Sequence, residues 1–433
     1  MKKIILSLFL MCTYLINAQE YFPTNTGVKT SNTNYIAFKN AKIIVSPTET
    51  IQNGVLLIKN GKIIDVGNSI NLPKNVLVID LKGKSIYPSF IDVYSDFGIS
   101  IEKPSNSSRS NPQYDTKRVG YYWNDHLMPE NDAITKFKYD EKRATELRKI
   151  GYGVVNTHIA DGIIRGSGIL VSLKSDGNNS DRLIDEKSSQ YLSFSKSIYS
   201  KQMYPTSLMG SMALLRQFNY DASWYEAGNI ETKDLSLEHY NKNKHLPQIF
   251  YAGDKLNVLR ADKIGDLFNI QYAIVGKGNE YELAKEIKKT NATLILPLNF
   301  PKAYDVENPF QADYLTLADM RYWNQAPSNP AIMAKNGISF SFTTFQSKSL
   351  ATFKSNILKA IDYGLDKTTA LEALTTVPAK IIGKENEIGM LKKGMLANFL
   401  ITSGDVFDKK TVIYENWTMG TKNIISDLNT INL

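Results

Sequence analysis

The 433-residue sequence has one cysteine and four histidines. The cysteine, Cys12, lies inside an apolar N-terminal run that reads as an export signal, so the mature chain keeps no thiol. Disulfides, thiolate metal ligands and cysteine nucleophiles are thereby excluded. A lipid on Cys12 is disfavoured, because Met11 stands where a lipoprotein cleavage site wants a small residue. The histidines, His126, His158, His239 and His245, show none of the x-one, x-three or x-four spacings by which imidazole pairs hold a metal. Long apolar runs are also missing. The stretch from Ile4 to Ile16 is shorter than the ~20 residues that cross a bilayer, and no later run reaches that length, so no membrane span is expected. Nor is charge concentrated: of a formal +8, Lys2 and Lys3 supply two, and the other lysines are dispersed among acids. Nucleic-acid binding needs a localised basic face, so no nucleic-acid partner is expected. There is no Gly-rich phosphate loop, zinc finger or helix-turn-helix signature. Gly166-Ser167-Gly168 precedes a strand instead of joining strand to helix, which excludes a nucleophile elbow.

What is present begins with residues 1–18: a basic start, the apolar run, and Ala18 before polar Gln19-Glu20. This is the pattern of a secretory signal, and it predicts export to the periplasm or the extracellular space. The length fits one α/β barrel of ~250 residues with a smaller appended domain. From Ala41 to Leu81, short apolar runs (Lys42–Val45, Val55–Ile58, Ile63–Val66, Val76–Leu81) alternate with turn residues, and Asn60-Gly61 marks a tight hairpin. After Lys84 apolar strands alternate with amphipathic helices. The strands are expected at Ser89–Tyr94, Gly153–Thr157, Gly168–Leu173, Gln248–Ala252, Tyr272–Val275, Thr293–Leu296 and Ile338–Phe342. The helices are expected at Asp140–Ile150, Asp254–Phe268, Glu280–Lys289, Ser347–Tyr363 and Thr368–Thr376. Seven such pulses predict a parallel barrel. Beyond Gly383 the β pattern returns at Gly389–Leu391, Asn398–Ile401, Val412–Tyr414 and near Trp417. The fold class read from this is α/β: a TIM-type (β/α)8 barrel (85–383) with a small composite β-sandwich domain built from 19–84 and 384–433. Ile101–Tyr114, rich in Ser, Asn and Pro, reads as a mobile loop.

The segment from Val55 to Gly67, followed by Val78-Ile-Asp-Leu-Lys-Gly-Lys-Ser-Ile-Tyr-Pro-Ser-Phe-Ile-Asp92, resembles the opening of the amidohydrolase superfamily. There a β hairpin leads into a "D-x-x-G-x-x-x-x-P-G-x-I-D" run. Thr376-Val-Pro-Ala-Lys-Ile-Ile-Gly383 and Ile388-Gly-Met-Leu-Lys-Lys-Gly-Met-Leu-Ala397 resemble its closing signatures. Gly162-Ile-Ile-Arg-Gly-Ser-Gly168 and the Tyr251–Leu298 stretch are similar to the imidazolonepropionase-like branch. The resemblance covers most of the mature chain and is weakest from Ser175 to His245. It implies one or two divalent metals such as zinc at the C-terminal mouth of the barrel, activating water for attack on C–N bonds, with imidazole ligands and a carboxylate base.

The residues at the matching positions differ from that pattern. Where the family has His-x-His after "I-D", this chain has Tyr94 and Asp96; a neutral phenol with a pKa near ~10 is a poor ligand for a divalent metal. The two mid-barrel histidine positions fall at Ala252 and Gly276. The final aspartate position falls at Thr344, and no acid occurs between Asp319 and Asp362. Asp92 matches a framework position and is assigned no catalysis. A residual polar site is conceivable from Asp96, His158, Asp254 and Lys277. The blander readings are a hydrogen-bonded core histidine, a loop carboxylate, a helix N-cap and a solvated lysine. No catalytic residue, metal ligand or cofactor is therefore assigned.

The expected function is a non-catalytic barrel that binds or scaffolds, paired with an intact amidohydrolase domain or a second copy and open to a small-molecule or peptide ligand. Two other readings stand beside it. One is an active C–N hydrolase with a carboxylate-rich site holding a harder ion such as manganese or magnesium. The other is a surface peptide- or glycan-binding module built on the aromatic cluster Tyr121-Tyr-Trp-Asn-Asp-His126. The latter competes with simple packing of a long loop against the barrel.

Overall fold

The computed structural model describes residues 34–101, 118–347 and 349–427. The expected signal with Cys12, and all but the first residue of the Ile101–Tyr114 stretch, lie outside them. Five strands come first: β1 (Tyr35–Ser46), β2 (Glu49–Lys59), β3 (Lys62–Gly67), β4 (Val76–Asp80) and β5 (Ser85–Pro88). Eight follow: β6 (Phe90–Ser95), β7 (Tyr152–Thr157), β8 (Ile164–Ser172), β9 (Leu183–Ser193), β10 (Gln248–Tyr251), β11 (Ala273–Val275), β12 (Thr293–Pro297) and β13 (Phe340–Thr343). The last three are β14 (Phe399–Thr402), β15 (Ile413–Thr418) and β16 (Thr421–Ile424).

The small domain is one sheet in the order β16-β15-β14-β5-β1-β2-β3, with β4 also paired to β1. Its hairpin turns where Asn60-Gly61 predicts: both residues have positive φ, 51° and 75°, the twist that suits a two-residue connection. The two ends of the chain meet directly, β14 pairing antiparallel with β5 from Phe399 opposite Pro88 to Thr402 opposite Ser85. An aromatic trio fastens this join. Phe38 of β1 meets Phe399 and Trp417 edge-on, each at 5.1 Å, and those two stack at 5.5 Å. Two details differ from the sequence reading. Gly389–Leu391 is not a strand but a turn, with Gly389 at φ 93°; a single ladder bond from Leu391 N to Val45 O holds it. The strands expected at Val412–Tyr414 and near Trp417 are one strand, β15.

The barrel sheet runs in chain order from β6 to β13. Seven of its strands are parallel, while β8 is antiparallel to both neighbours. The link 158–163 is too short for the crossover of a dozen or more residues that a parallel return requires, so β8 turns back on β7. That reversal places the start of β8, not its end, at the mouth. Side chains alternate across the wall. Ile91, Val93, Val154, Leu170, Tyr191, Ile249, Val275 and Ile295 form one apolar cluster in the lumen. Phe90, Val155, Ile169, Leu192, Phe250, Ile274 and Leu294 join the larger cluster under the surrounding helices. Helices Glu141–Lys149, Lys255–Leu267, Leu350–Asp362 and Lys367–Leu374 stand close to their expected places. Each is opened by a side-chain cap, from Asp140, Asp254, Ser349 and Asp366. β9 and the helices Leu208–Glu226 and Leu235–Asn243 fill the region where the sequence signal was weakest. Among the described residues no helix is long and apolar enough to cross a membrane.

Asn416 on β15 couples the two units. Its amide donates to the carbonyls of Arg148 and Tyr152 at 3.1 and 2.9 Å and accepts from the Ser89 hydroxyl at 3.0 Å, with no exposure to solvent. Asn416→Ala leaves those buried groups unpaired and is expected to lose about 2–3 kcal/mol of unfolding free energy. Urea denaturation of the protein measures it, and a loss below about 0.5 kcal/mol would remove this residue as the coupling.

Candidate functional site

The mouth is built around the end of β6. There is no β ladder between β13 and β6; the barrel is drawn together by side chains instead. The Asp92 carboxylate accepts from Tyr94 N at 3.1 Å, from Thr344 N at 2.9 Å and from the Thr344 hydroxyl at 2.6 Å. The Thr343 hydroxyl donates to Tyr94 O at 2.7 Å. Asp92 is fully buried, and loss of solvent pushes its pKa up against the pull of these donors. The Thr344 position thus carries no acid of its own but grips one from the opposite strand.

Tyr94 and Asp96 do not converge. β6 ends at Ser95, so the alternation that would aim both side chains into the lumen is lost one residue too early. Tyr94 is fully buried. Asp96 points away, its side chain 43% exposed, and pairs with Arg143 of the helix Glu141–Lys149 at 2.7 Å.

The space beside Tyr94 is occupied by an arginine that sequence reasoning did not single out. Arg165, near the start of the reversed β8, is only 4% exposed. It donates through Nη1 to the Tyr94 hydroxyl at 2.7 Å and through Nε to Gly162 O at 3.1 Å. Nη1 also lies 3.3 Å from His158 Nε2, and the guanidinium sits 5.7 Å from the Tyr251 ring centre. Among the described residues no carboxylate pairs with it. His158 approaches Ser95 O through Nδ1 at 3.0 Å, which makes that nitrogen the protonated one and leaves Nε2 to face the guanidinium. Its ring stacks on Tyr191 at 3.8 Å, nearly parallel. Burial, and then the charge of Arg165, drive the His158 pKa well below 6.5, so it is neutral. Burial pushes the Tyr94 phenol up to about 12. Tyr251 and Phe345, 6.0 and 4.8 Å from the Tyr94 ring, complete the plug.

The remaining expected positions are equally unsuited to a metal. Ala252 is buried and has no donor atom. At Gly276 a side chain has no room: an added Cβ would lie 2.1 Å from a carboxylate oxygen of Glu280. Glu280, also unforeseen, is fully buried and accepts from Lys277 N at 2.6 Å, Gly278 N at 3.0 Å and the Asn329 amide at 2.7 Å. Lys277 lends only its backbone there, and its side chain is exposed. Asp254 caps its helix, accepting from Leu256 N and Asn257 N at 2.8 and 3.0 Å. Asp96, His158, Asp254 and Lys277 therefore do not gather into one site. Among the described residues no three His, Cys, Asp or Glu side chains stand close enough to share a metal ion. The donors present do not fit the divalent metal that the resemblance implies.

The other histidines serve local structure. His126 is buried between Gln202 O and Ser197 N, both at 3.1 Å. His239 and His245 each reach a backbone carbonyl at 2.8 Å. Trp123, 43% exposed, stacks on Tyr204 beside a cavity of about 470 Å³ that Ala213, Leu214 and Gln217 also line. Arg165 could have been noticed in the sequence as a charge between turn glycines in an otherwise apolar strand. Gly166 there has φ 81° and no space for a Cβ, which would meet Asn131 O at 1.9 Å.

No family model matches the sequence, and no curated protein matches it. Solved structures do. An amidohydrolase from Thermotoga maritima superposes with a TM-score of 0.70 at 21% identity, over 89% of this chain and 99% of that one. A prolidase complexed with N-methylphosphonate-L-proline gives 0.54 at 13% identity, over 90% and 100%. A β-aspartyl dipeptidase from Fervidobacterium islandicum, in complex with a β-Asp-Leu dipeptide, gives 0.50 at 16%, over 92% and 99%. The chain has the amidohydrolase fold, a barrel with a separate β domain.

The depressed pKa of His158 fixes the sign of a pH effect. Below about 6.5 the unfolded chain takes up a proton that the native one refuses. The stability tied to this residue is therefore full above that pH and is lost as pH falls through it. His158→Asn keeps a donor for Ser95 O and removes the titration. Wild type should lose more stability than this variant between pH 7.5 and 5.5 in parallel urea titrations, and equal slopes would show that His158 is not held neutral.

Proposed function

We propose that this chain is an exported, non-catalytic barrel of amidohydrolase fold that binds or scaffolds, alone or beside an intact amidohydrolase domain. The observation that carries this reading is the Arg165 guanidinium at the mouth, holding the Tyr94 hydroxyl. A divalent ion there would face the guanidinium across a short gap. Repulsion between unit charges 4 Å apart is on the order of 4 kcal/mol even at an effective dielectric of 20, and a second metal charge doubles it. The positions that lost their ligands are also filled, Gly276 by Glu280 and the lumen by Tyr94, Tyr251 and Phe345. A ligand of this mouth would carry negative charge, because a buried guanidinium with no acid partner among the described residues favours a carboxylate.

The alternative is hydrolysis of a C–N bond, the class of substrate carried by the prolidase and dipeptidase neighbours. Mature protein grown with added zinc and manganese separates the two. Elemental analysis should find well under one metal per chain, and prolyl and β-aspartyl dipeptides should not turn over. One metal or more per chain, with turnover abolished by chelation, would overturn the non-catalytic reading.

The Trp123 cavity favours a second reading, a peptide-binding surface: it is walled by rings and aliphatic groups with one amide, Gln217, too few polar partners for a sugar. Tryptophan emission of the mature protein should shift on adding mixed tryptic peptides and stay constant in Trp123→Ala. An identical response in both proteins would remove this reading.

A further inference from the structure

The mouth holds hydrogen-bond donors that the protein itself does not use. A guanidinium has five N–H groups. On Arg165, Nε gives its proton to Gly162 O, and those of Nη1 go to the Tyr94 hydroxyl and to His158 Nε2. Both protons of Nη2 are left over, since among the described residues no acceptor meets them. Nη2 is not one of the polar atoms sealed from solvent without a partner, so water reaches it although the residue is only 4% exposed.

Tyr94 adds a second donor. Burial pushes its pKa up to about 12, so the phenol keeps its proton. Its oxygen accepts from Arg165 Nη1, yet among the described residues nothing accepts the proton it carries. A fully buried hydroxyl that accepts without donating is half satisfied, a state that costs free energy until an acceptor arrives. The two unused donors lie on groups already in contact, the phenol oxygen resting 2.7 Å from Nη1 of the same guanidinium. One small acceptor group can therefore meet both.

The acids on the mouth loops are all committed elsewhere. Asp92 holds Tyr94 N and Thr344, Asp96 pairs with Arg143, and Asp254 caps its helix. Asp161 accepts from the Ser197 hydroxyl and from Ile198 N at 2.5 and 2.9 Å, and Glu280 accepts from its own loop. These facts select the ligand. A carboxylate balances the single charge of Arg165, whereas a phosphate dianion exceeds it. With no acid left to hold it, an ammonium beside that carboxylate would face the guanidinium, which disfavours a free α-amino acid. The half-buried rings of Tyr251 and Phe345, 5.5 Å apart, flank the site and suit an apolar body.

We propose that the mouth binds a monocarboxylate with an apolar body and no neighbouring ammonium, its two oxygens taken by Arg165 Nη2 and by the Tyr94 O–H. The protein's own cation thereby replaces the metal that the resemblance implies, and the site rests on the metal-free reading of the mouth.

Isothermal titration of the protein with 3-phenylpropanoate tests it. Three controls run beside it: 3-phenylpropanamide lacks the charge, L-phenylalanine adds an α-ammonium, and inorganic phosphate lacks the apolar body. The acid should bind, and each control should bind at least about tenfold more weakly. N-acetyl-glycyl-phenylalanine presents the same end on a peptide, and whichever of the two acids binds more tightly tells a peptide terminus from a free acid. Tyr94→Phe keeps the ring and loses the donor, so it should weaken the acid about tenfold with the melting temperature unchanged. Arg165→Met should abolish binding. No binding of the acid up to about 10 mM overturns the proposal. So does equal binding of acid and amide, or equal binding by wild type and Tyr94→Phe. Repeating the titrations after EDTA treatment separates this proposal from the reading beneath it. Binding that survives supports both, whereas binding that EDTA abolishes puts a metal in the mouth and overturns the metal-free reading as well.

Discussion

A buried carboxylate, helped by the Thr343 hydroxyl on Tyr94 O, holds the barrel shut. Asp92 reaches from the first barrel strand to Thr344 just beyond the last, and without it the gap between β13 and β6 has no ladder to close it. Taking a carboxylate out of water costs several kcal/mol unless its lone pairs are filled, and here three donors fill them. The same contacts fix the backbone of Tyr94. Because Tyr94 is fixed, its hydroxyl defines where Arg165 must sit, and Arg165 in turn faces the Nε2 that the Ser95 carbonyl, by taking the Nδ1 proton, leaves bare on His158. The mouth is thus one chain of dependence running from closure of the barrel to the contents of its upper layer.

That upper layer is the reverse of a metal site in charge and in fit. A metal centre collects anionic and neutral donors around a cation, whereas here the protein supplies the cation and surrounds it with a phenol, an imidazole nitrogen, a carbonyl and an aromatic face. The arrangement follows from the reversal of β8. Had the link after β7 been long enough for a parallel crossover, Arg165 would begin a strand at the bottom of the barrel, not at its mouth. Glu280 makes a comparable exchange on the far side: its carboxylate rests against backbone amides in the space a side chain at position 276 would need. The side chains that fill the two positions, Arg165 and Glu280, are both buried, and neither was singled out in the sequence.

Much of the framework was legible before any coordinates. Asn60-Gly61 announced its hairpin because only a few residues tolerate left-handed φ at both positions. Strands β6, β7, β10, β11 and β12 were visible as apolar runs between turn residues, and the capping aspartates 140 and 254 marked where helices begin. The antiparallel course of β8 was not legible, since an apolar run has no direction. β9 was hidden because its Lys, Ser and Gln residues break both the alternating and the continuous apolar patterns, although most of them are buried under helices added later in the chain. Gly389–Leu391 misled because an apolar residue beside a turn glycine looks like a strand end. It packs as a turn against β1.

For the site, the residue types alone decided one thing, that Tyr94, Ala252, Gly276 and Thr344 lack the imidazoles and the free acid of a hydrolytic centre. Chemistry of that kind resides in side chains and needs no coordinates to be found missing. What occupies the mouth is another matter, because it depends on which distant groups the chain brings within hydrogen-bonding reach. Only the tertiary structure could decide that Asp96 turns outward to Arg143, that Asp254 is spent on a helix cap, and that a guanidinium seventy-one positions beyond Tyr94 in the chain holds its hydroxyl.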